Sequence, residues 1–367
     1  MKIAVATFCL GYNYGAMLQA YATIKALESL GHEVILINQH QPWSFGVDEK
    51  NWRSYVSLKP WVIKYKWHVL WRQRKLRKCF QPMWQLFPLT EYYGVNIESI
   101  IKNPPVCDCL ITGSDQTWNT SADQKFYAAY FLPFGSSNIK RIAYAPSLGG
   151  VHFKSKDLPW ILDKLNNYSA ISVREKEDVD YLRSLGLENV VQMPDPTLIA
   201  DKKIYESFIA SETHKSYDVV MYILGGKNKR LEQSLYDLLK KEDVDFSNVL
   251  NITLQDFFCK NVINKITTVQ GWVDAIANAK MVVTNSFHAV VFSLIFNRPF
   301  VYINFSIKEC NKNNRVKTIL EGTSQRFRMI DINELNSLKP FRVYPDFRHE
   351  IDMLQEKGLK YLIESLY

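Results

Sequence analysis

The sequence lacks the cysteine and histidine patterns that hold metals or disulfides. Its six cysteines are scattered, no Cys-x-x-Cys pair occurs, and its seven histidines form no cluster. Paired spacings of this kind mark zinc sites and the disulfide frameworks of small secreted domains. Their absence predicts a reduced, cytoplasmic protein with no bound metal and no resident cofactor.

Long apolar runs are also missing. No uninterrupted apolar stretch approaches the roughly 18 residues that a membrane-spanning helix requires. Residues 2–7 lead into a polar loop without a small-residue cleavage pattern, so we interpret them as a first β-strand and not as a signal peptide. With 367 residues, of which 47% are hydrophobic and 22% charged, the chain has the composition of a globular protein. Its length fits two domains.

Acidic residues are absent from one segment. Between Lys50 and Leu86 the chain has ten Lys and Arg and no Asp or Glu, although the net charge of the whole chain is only +8. Five of the nine tryptophans lie there too. On a helix over about 61–79, apolar and aromatic side chains share one face and basic side chains another. The residues expected to contact a partner surface are Trp61, Trp67, Trp71, Arg72, Arg74 and Lys75.

This basic, tryptophan-rich insertion, taken as residues 48–88, has three interpretations. Basic residues opposite tryptophans are typical of a helix on a membrane surface, because anionic lipid attracts the charges and indole rings anchor at the interface. The alternative is a solvated helix that packs its aromatic face on the domain. A nucleic-acid groove is also basic and aromatic, but nothing here resembles a nucleic-acid-binding module. We therefore predict a peripheral membrane surface and no nucleic-acid partner.

Short buried strands alternate with helices along the rest of the chain. One series of strands is predicted between residues 3 and 193, and a second between 219 and 303. Most strands end in polar or glycine-rich residues, which is the pattern of parallel sheets whose carboxyl ends line a cleft. We predict two Rossmann-like α/β domains, residues 1–200 and 201–345, that face a central cleft. Residues 346–367 are predicted to form a last helix.

The segment from Met281 to Ile303 is the most informative one. A β-branched strand ends in a polar loop, the loop turns into an apolar helix over 289–296, and a second strand follows an Asn-Arg-Pro break. In such units, backbone N–H groups at the helix start favour anions. Asn285, Ser286 and His288 lie at this point. The alternative is that Asn285 or Ser286 only caps the helix.

Five motifs occur in a characteristic order and spacing. They are residues 13–21 (NYGAMLQAY), 113–119 (GSDQTWN), 172–175 (SVRE), 194–197 (PDPT) and 286–288 (SFH). Together they resemble the polysaccharide pyruvyl transferase family over almost the whole chain. The resemblance implies a GT-B-like architecture, with a final helix that returns to the first domain. It also implies transfer of pyruvate from phosphoenolpyruvate onto a sugar as a ketal.

One position departs from the family pattern. Many members have Ser-x-Arg-x-His, and Ser286 stands where this arginine is expected. A donor with a phosphate and a carboxylate requires positive charge, so another side chain must supply it. Arg174, Lys227 and Arg298 are the candidates. For Arg174 the alternative is an exposed i,i+4 ion pair with Asp178.

The resemblance and the chemistry of ketal formation together assign roles. His288 is the candidate acid for the enol carbon, and Asp115 the candidate base for a sugar hydroxyl, with helix capping as its alternative. Trp118 is expected to stack on a pyranose ring. The predicted donor-binding residues are Arg174, Asn285, Ser286, His288, Gly225, Gly226 and Lys227. The predicted acceptor-binding residues are Asn13, Tyr14, Gly15, Gln19, Ser114, Gln116 and Trp118.

Two glycines after a strand, such as Gly225 and Gly226, also mark an ordinary turn. Tyr14 and Gly15 have the alternative of only shaping the first loop.

The resemblance thus implies a metal-independent enzyme of bacterial capsular or exopolysaccharide biosynthesis, with phosphoenolpyruvate as co-substrate. The acceptor is expected to be a galactose-type sugar on a polyprenyl diphosphate, at the inner face of the cytoplasmic membrane. One alternative is a GT-B glycosyltransferase whose 281–301 loop holds the diphosphate of a nucleotide sugar. Another is a non-catalytic, membrane-associated protein that binds glycans or anions.

Overall fold

The computed structural model describes most of the chain. The described residues are 1–39, 60–94, 97–209, 216–225, 229–252, 261–304, 311–322, 329–330, 346 and 348–367. The predictions for Gly226, Lys227 and the first part of the basic insertion fall outside them, as do those for the side chains of Trp61 and Trp67.

Among the described residues, two six-stranded parallel sheets form the centres of two α/β domains. The strand order is β2-β1-β3-β4-β5-β6 in the first sheet and β12-β11-β10-β7-β8-β9 in the second. The strands of the first sheet are β1 (Lys2–Ala6), β2 (Glu33–Leu36), β3 (Cys109–Thr112), β4 (Lys140–Ala143), β5 (Ala170–Val173) and β6 (Val190–Gln192). Those of the second are β7 (Val219–Tyr222), β8 (Val249–Ile252), β9 (Ile263–Lys265), β10 (Met281–Thr284), β11 (Phe300–Ile303) and β12 (Met329–Ile330).

Helices connect these strands and cover both faces of each sheet, so central strands such as β3, β7 and β10 are buried along their whole length. The helices before β7 are α1 (Tyr14–Ser29), α2 (Pro60–Trp84), α3 (Ile97–Lys102), α4 (Gln124–Tyr127), α5 (Leu158–Leu165), α6 (Lys176–Ser184), α7 (Pro196–Ile199) and α8 (Lys203–Glu206). Those after it are α9 (Lys229–Lys241), α10 (Val269–Ala277), α11 (Phe287–Ile295), α12 (Asn311–Gly322) and α13 (Arg348–Leu366). The predicted pair of parallel-sheet α/β domains is confirmed.

Each sheet has one point at which the direction of strand addition reverses. In the first sheet this switch lies between β1 and β3, and in the second between β7 and β10. Crevices outside the carboxyl ends of strands at such points are where open α/β sheets bind ligands. The loops after β1, β3, β7 and β10 carry many of the predicted site residues, so the topology brings these residues toward one cleft.

Tyr14 joins the two domains. Its ring lies between Phe80 of α2 and Trp272 of α10, with centroid distances of 4.8 and 5.6 Å. Its hydroxyl donates to the carbonyl of Thr267 in the second domain at 2.9 Å. Tyr14 is completely buried by these contacts. The prediction that it binds the acceptor is therefore wrong, because its ring and hydroxyl are used between the domains.

The last helix, α13, returns to the first domain as expected. Its Tyr361 hydroxyl donates to the carbonyl of Ala143 at 3.1 Å, at the end of β4. The ammonium group of Lys140 donates to the carbonyls of Ser365 and Leu366 in the last turn. A cation at the carboxyl end of a helix also complements the helix dipole.

The basic insertion contains α2, which is longer than predicted. Its second half packs on the domain through buried Phe80 and Met83. Nearer its start, Leu70 and Trp71 are 52% and 58% exposed, and the ammonium group of Lys75 lies 5.1 Å from the Trp71 ring centre. None of the helices within the described residues is both long and apolar enough to cross a bilayer.

Candidate active site

His288 lies in the first turn of α11, where the two domains meet. The helix begins at Phe287, earlier than predicted, and the Ser286 hydroxyl accepts the N–H of Ala289 at 3.5 Å. The capping alternative for Ser286 is therefore confirmed. His288 is only 7% exposed, so neighbouring groups fix its ring.

Two contacts from the first domain hold the His288 ring. A Cβ atom on Gly15, at the start of α1, would lie 2.0 Å from Nδ1 of the imidazole. Only glycine allows the backbone to approach the ring this closely. On the other side, Nε2 lies 3.6 Å from Oδ2 of Asp195 and has no hydrogen-bond partner in the described part of the chain. One ring nitrogen thus faces a helix start and the other a carboxylate.

Asp195 is a buried carboxylate, 1% exposed, around which the site is assembled. Its Oδ2 accepts from Nη1 of Arg174 at 2.9 Å and from the Ser114 hydroxyl at 3.2 Å. Its Oδ1 accepts from the N–H and the hydroxyl of Thr197. Burial raises the pKa of Asp195, but His288, Arg174 and Thr197 together outweigh burial and hold this pKa well below its usual range. An ionised carboxylate therefore lies beside the imidazole.

Arg174, directly after β5, is 4% exposed and makes two ion pairs. Its Nε lies 3.0 Å from Oε1 of Glu175, and its Nη1 binds Asp195. The exposed pair with Asp178 is therefore not formed. The guanidinium carbon lies 4.6 Å from the ring centre of Phe287, the first residue of α11. Nη2 is buried and has no hydrogen-bond partner among the described residues, which leaves an N–H donor for a ligand.

The family model described as polysaccharide pyruvyl transferase matches residues 13–306. The chain belongs to the polysaccharide pyruvyl transferase family. A search of curated proteins finds no match.

Solved structures share the fold of this family member at low sequence identity. The UDP-GlcNAc 2-epimerase from Neisseria meningitidis bound to UDP-GlcNAc has a TM-score of 0.54 and 12% identity, covering 100% of this chain and 99% of that one. The UDP-GlcNAc 2-epimerase from Methanocaldococcus jannaschii gives 0.53 and 10%, with 99% and 100% covered. Arabidopsis thaliana UGT89C1 complexed with UDP-L-rhamnose gives 0.50 and 10%, with 99% and 98% covered. These likenesses show the GT-B-like fold alone.

Asp115 lies in the loop after β3 in this polysaccharide pyruvyl transferase family member. Its φ of 70° is in the left-handed region, which is uncommon for residues other than glycine and is found at functional sites. Its Oδ1 accepts the N–H of Gln116 at 2.9 Å, and its carbonyl accepts the N–H of Ser147. No helix begins here, so the capping alternative is wrong. Oδ2 makes no hydrogen bond to any described residue.

The structure corrects the prediction that Trp118 belongs to the acceptor site. The side chain is completely buried, its ring stacks on Phe131 at 5.5 Å, and its N–H donates to the carbonyl of Tyr130. No face of the ring is open to a sugar. The predicted stacking on a pyranose is therefore wrong, because the indole is buried and packs against Phe131 and Tyr168.

The other predicted acceptor residues divide into buried and accessible ones. Gln19 and Ser114 are buried and hold loops: Gln19 donates to Thr7 and to the carbonyl of Phe8. Asn13 is exposed and caps α1, and Gln116 is half-buried. Together with Gly15 at the His288 ring, these accessible groups border the first-domain side of the cleft.

Most of the residues around Ser286 that were predicted to bind the pyruvate donor instead make contacts within the protein. The Asn285 amide bridges the backbone of Leu224, accepting from its N–H at 2.7 Å and donating to its carbonyl at 2.8 Å. Gly225 has a φ of 113°, as a turn requires. Arg298 precedes β11 and lies at the amino edge of the sheet, away from the cleft. Arg298 is therefore not the replacement for the missing arginine.

The functional residue that the sequence did not reveal is Asp195. It belongs to the PDPT motif, one of the five motifs of the family resemblance, and no role is predicted for it. The signal was its position: like Asp115 and Arg174, it follows a strand of the first sheet. Within the described ranges, no three His, Cys, Asp or Glu side chains come together as metal ligands would.

Replacement of Gly15 by alanine tests the contact with His288. We expect the new Cβ to displace the ring from Asp195 and to lower turnover about 100-fold, the scale of a misplacement of roughly 1 Å. Ala16→Gly, in the same helical turn, is the matched control. Steady-state rates and melting temperatures of both variants check this. A Gly15→Ala enzyme with wild-type turnover would show that the ring position is unimportant.

Asp178 has a pH-dependent effect on stability. It accepts the N–H of Leu148 at 3.0 Å, and burial, followed by the charge of Glu175, raises the pKa of Asp178 from 3.8 to about 9. The folded protein therefore keeps a proton that the unfolded chain releases above pH 3.8. This proton stabilises the fold fully only below pH 3.8, and its contribution falls as the pH rises to about 9.

We expect Asp178→Asn to remove this loss of stability, because an amide mimics the protonated acid. Wild type should become less stable than the variant by at most about 1.4 kcal/mol per pH unit over this window. Urea unfolding at several pH values measures the difference. Asp180→Asn, exposed on the same helix, should show no such trend. Parallel stability curves for wild type and Asp178→Asn would contradict the raised pKa of Asp178.

Proposed function

We propose that this protein transfers pyruvate from phosphoenolpyruvate to a sugar as a cyclic ketal in bacterial capsular or exopolysaccharide biosynthesis, without a metal or bound cofactor. Membership of the family supports a transferase with a saccharide acceptor. The observation that carries the proposal is the position of His288, in the first turn of α11 and 3.6 Å from a carboxylate oxygen of ionised Asp195. Arg174 lies beside them with an N–H that no described residue accepts. An acid next to an anion-binding group is what protonation of a phosphorylated enol requires.

The first step is proton transfer to carbon. The His288 imidazolium gives a proton to the CH2 carbon of the enol, whose C=C electron pair forms the new C–H bond. Positive charge then develops at the carbon that bears the phosphate. Asp195, 3.6 Å from Nε2, holds the ring in place, and the α11 start and Arg174 hold the anionic donor.

The second stage forms the ketal. One sugar hydroxyl bonds to the central carbon, and the C–O bond to phosphate breaks with its electron pair leaving on phosphate. A second hydroxyl of the same sugar then closes the ring. Of the two hydroxyl protons, one restores the imidazolium and the other leaves with phosphate. We assign Asp115 as the group that accepts the second of these protons and passes it to the departing phosphate, because its Oδ2 makes no hydrogen bond to any described residue.

We predict that His288→Gln lowers turnover at least about 100-fold, the lower range for general acid catalysis. Glutamine has a similar reach but cannot deliver a proton, so phosphoenolpyruvate should still raise the melting temperature. Mass spectrometry of a galactoside acceptor and assay of released phosphate measure turnover. His349→Gln, exposed on α13, is the matched control.

Three results would contradict the proposed reaction. A His288→Gln enzyme with most of its turnover would eliminate this residue as the acid. Stabilisation of wild type by nucleoside diphosphates and not by phosphoenolpyruvate would favour a nucleotide-sugar glycosyltransferase. Stabilisation by phosphoenolpyruvate without phosphate release, across a panel of lipid-linked galactosides, would favour a non-catalytic binding protein.

We further propose that α2 contacts the cytoplasmic membrane face and brings a polyprenyl-diphosphate-linked acceptor to the cleft. The exposed Leu70 and Trp71 provide an apolar contact, and the surrounding basic residues attract anionic lipid. The same helix packs Phe80 against Tyr14 at the domain junction. A lipid-bound helix would thus place the membrane surface close to the first-domain side of the site.

Charge removal on α2 tests this. We expect Arg72→Gln, Arg74→Gln and Lys75→Gln combined to reduce binding to phosphatidylglycerol vesicles about 10-fold or more, since each basic residue contributes about 1 kcal/mol near an anionic surface. Vesicle co-sedimentation measures it. Removal of three exposed charges elsewhere, at Lys202, Lys203 and Lys240, is the control. Equal binding by both triple variants would show that α2 is not the membrane contact.

A further inference from the structure

The guanidinium group of Arg315, on α12, has no role in the proposed reaction steps. It lines a cavity of about 330 Å³ between the domains, together with Arg174, Asp195 and Phe287. Its Nε is buried without a hydrogen-bond partner, and the described part of the chain offers it no ion pair. An arginine with no partner in a cleft is unusual, because an unpaired buried charge is costly.

The surroundings of Arg315 disfavour its charge. Burial, followed by the positive charge of Arg174, lowers the pKa of Arg315, and Glu175 and Asp115 only partly oppose this. Arg174 in turn has its Nη2 unfilled, although its other nitrogens bind carboxylates. Two guanidinium groups with unfilled donors therefore border the same cavity. An anion that accepts from both would relieve their repulsion.

Topology explains how Arg315 comes to this place. β11 is the neighbour of β10 in the second sheet, so the segment after β11 leaves the same carboxyl edge as the Ser286 loop. α12 lies on that segment and packs on α11. The cavity also reaches Phe287, the residue after Ser286. Ser286 itself is occupied as the cap of α11.

We propose that Arg315 binds the anionic groups of the donor together with Arg174, and so replaces the arginine that many relatives have at the position of Ser286. This inference rests on the proposed function, because the donor is phosphoenolpyruvate. Arg315 is a binding residue: it holds the phosphate or carboxylate while His288 delivers the proton. The sequence candidates for this charge were Arg174, Lys227 and Arg298, so Arg315 is an addition from the tertiary structure.

The experiment compares Arg315→Gln with Lys317→Gln, an exposed cation on the same helix that pairs with Glu321. We expect Arg315→Gln to raise the KM for phosphoenolpyruvate about 10- to 100-fold, the size of a lost charge-assisted hydrogen bond, with the acceptor KM unchanged. The melting temperature without ligand should stay the same or rise, since an unpaired charge is removed. Lys317→Gln should match wild type in all three measurements.

Arg315→Lys covers the case in which glutamine prevents folding. Lysine keeps the charge but loses the planar fork, so it should give a smaller rise in the same KM. A wild-type KM for phosphoenolpyruvate in both folded variants would overturn the proposal, as would an equal change in the acceptor KM.

Failure of the proposed function gives a different result. In that case phosphoenolpyruvate does not raise the melting temperature of wild type, and the anion site is tested with inorganic pyrophosphate instead. Stabilisation of wild type and Lys317→Gln by pyrophosphate, with loss in Arg315→Gln, would still support an anion site at Arg315. Equal stabilisation of all three proteins, or of none, would overturn it.

Discussion

The negative charge of Asp195 is the constraint on which the site depends. A carboxylate without solvent contact is stable only if it is paired and hydrogen-bonded. Its partners are Arg174 at the end of β5, Ser114 in the loop after β3, Thr197 at the start of α7 and His288 of the second domain. One buried charge thus orients groups from four places in the chain, and movement of the domains apart would remove one of them.

The approach of the domains is fixed by two adjacent residues at the start of α1. Tyr14 fills the junction with its ring and binds Thr267, whereas Gly15 leaves room for the imidazole. The large ring of Tyr14 and the missing side chain of Gly15 thus let one helical turn hold the domains together and leave room for the His288 ring. The predicted acceptor motif therefore serves mainly to build the interface, and only its accessible members remain for sugar binding.

The cleft contains both carboxylates and guanidinium groups, and they occupy different positions in it. Arg174 binds one carboxylate oxygen of Asp195 and one of Glu175, while Nη2 of Arg174 and Nε of Arg315 have no hydrogen-bond partner among the described residues, and both arginines line the cavity. An anion in the cavity would contact the guanidinium groups of Arg174 and Arg315. The imidazole of His288, next to Phe287, lies beside the carboxylate of Asp195. In the proposed reaction, His288 delivers the proton, and the neighbouring but separate Arg174 and Arg315 bind the anion.

Sequence patterns are sufficient to predict the architecture and to locate several residues of the site. Short β-branched runs ending in polar or glycine residues permit few arrangements other than parallel sheets, and they put His288, Arg174 and Asp115 at strand or helix ends. Tertiary structure alone decided which of these residues meet. The burial of Trp118, the partners of Asp195 and the approach of Arg315 depend on contacts between distant segments. Local sequence patterns do not encode such contacts, because packing between elements sets them.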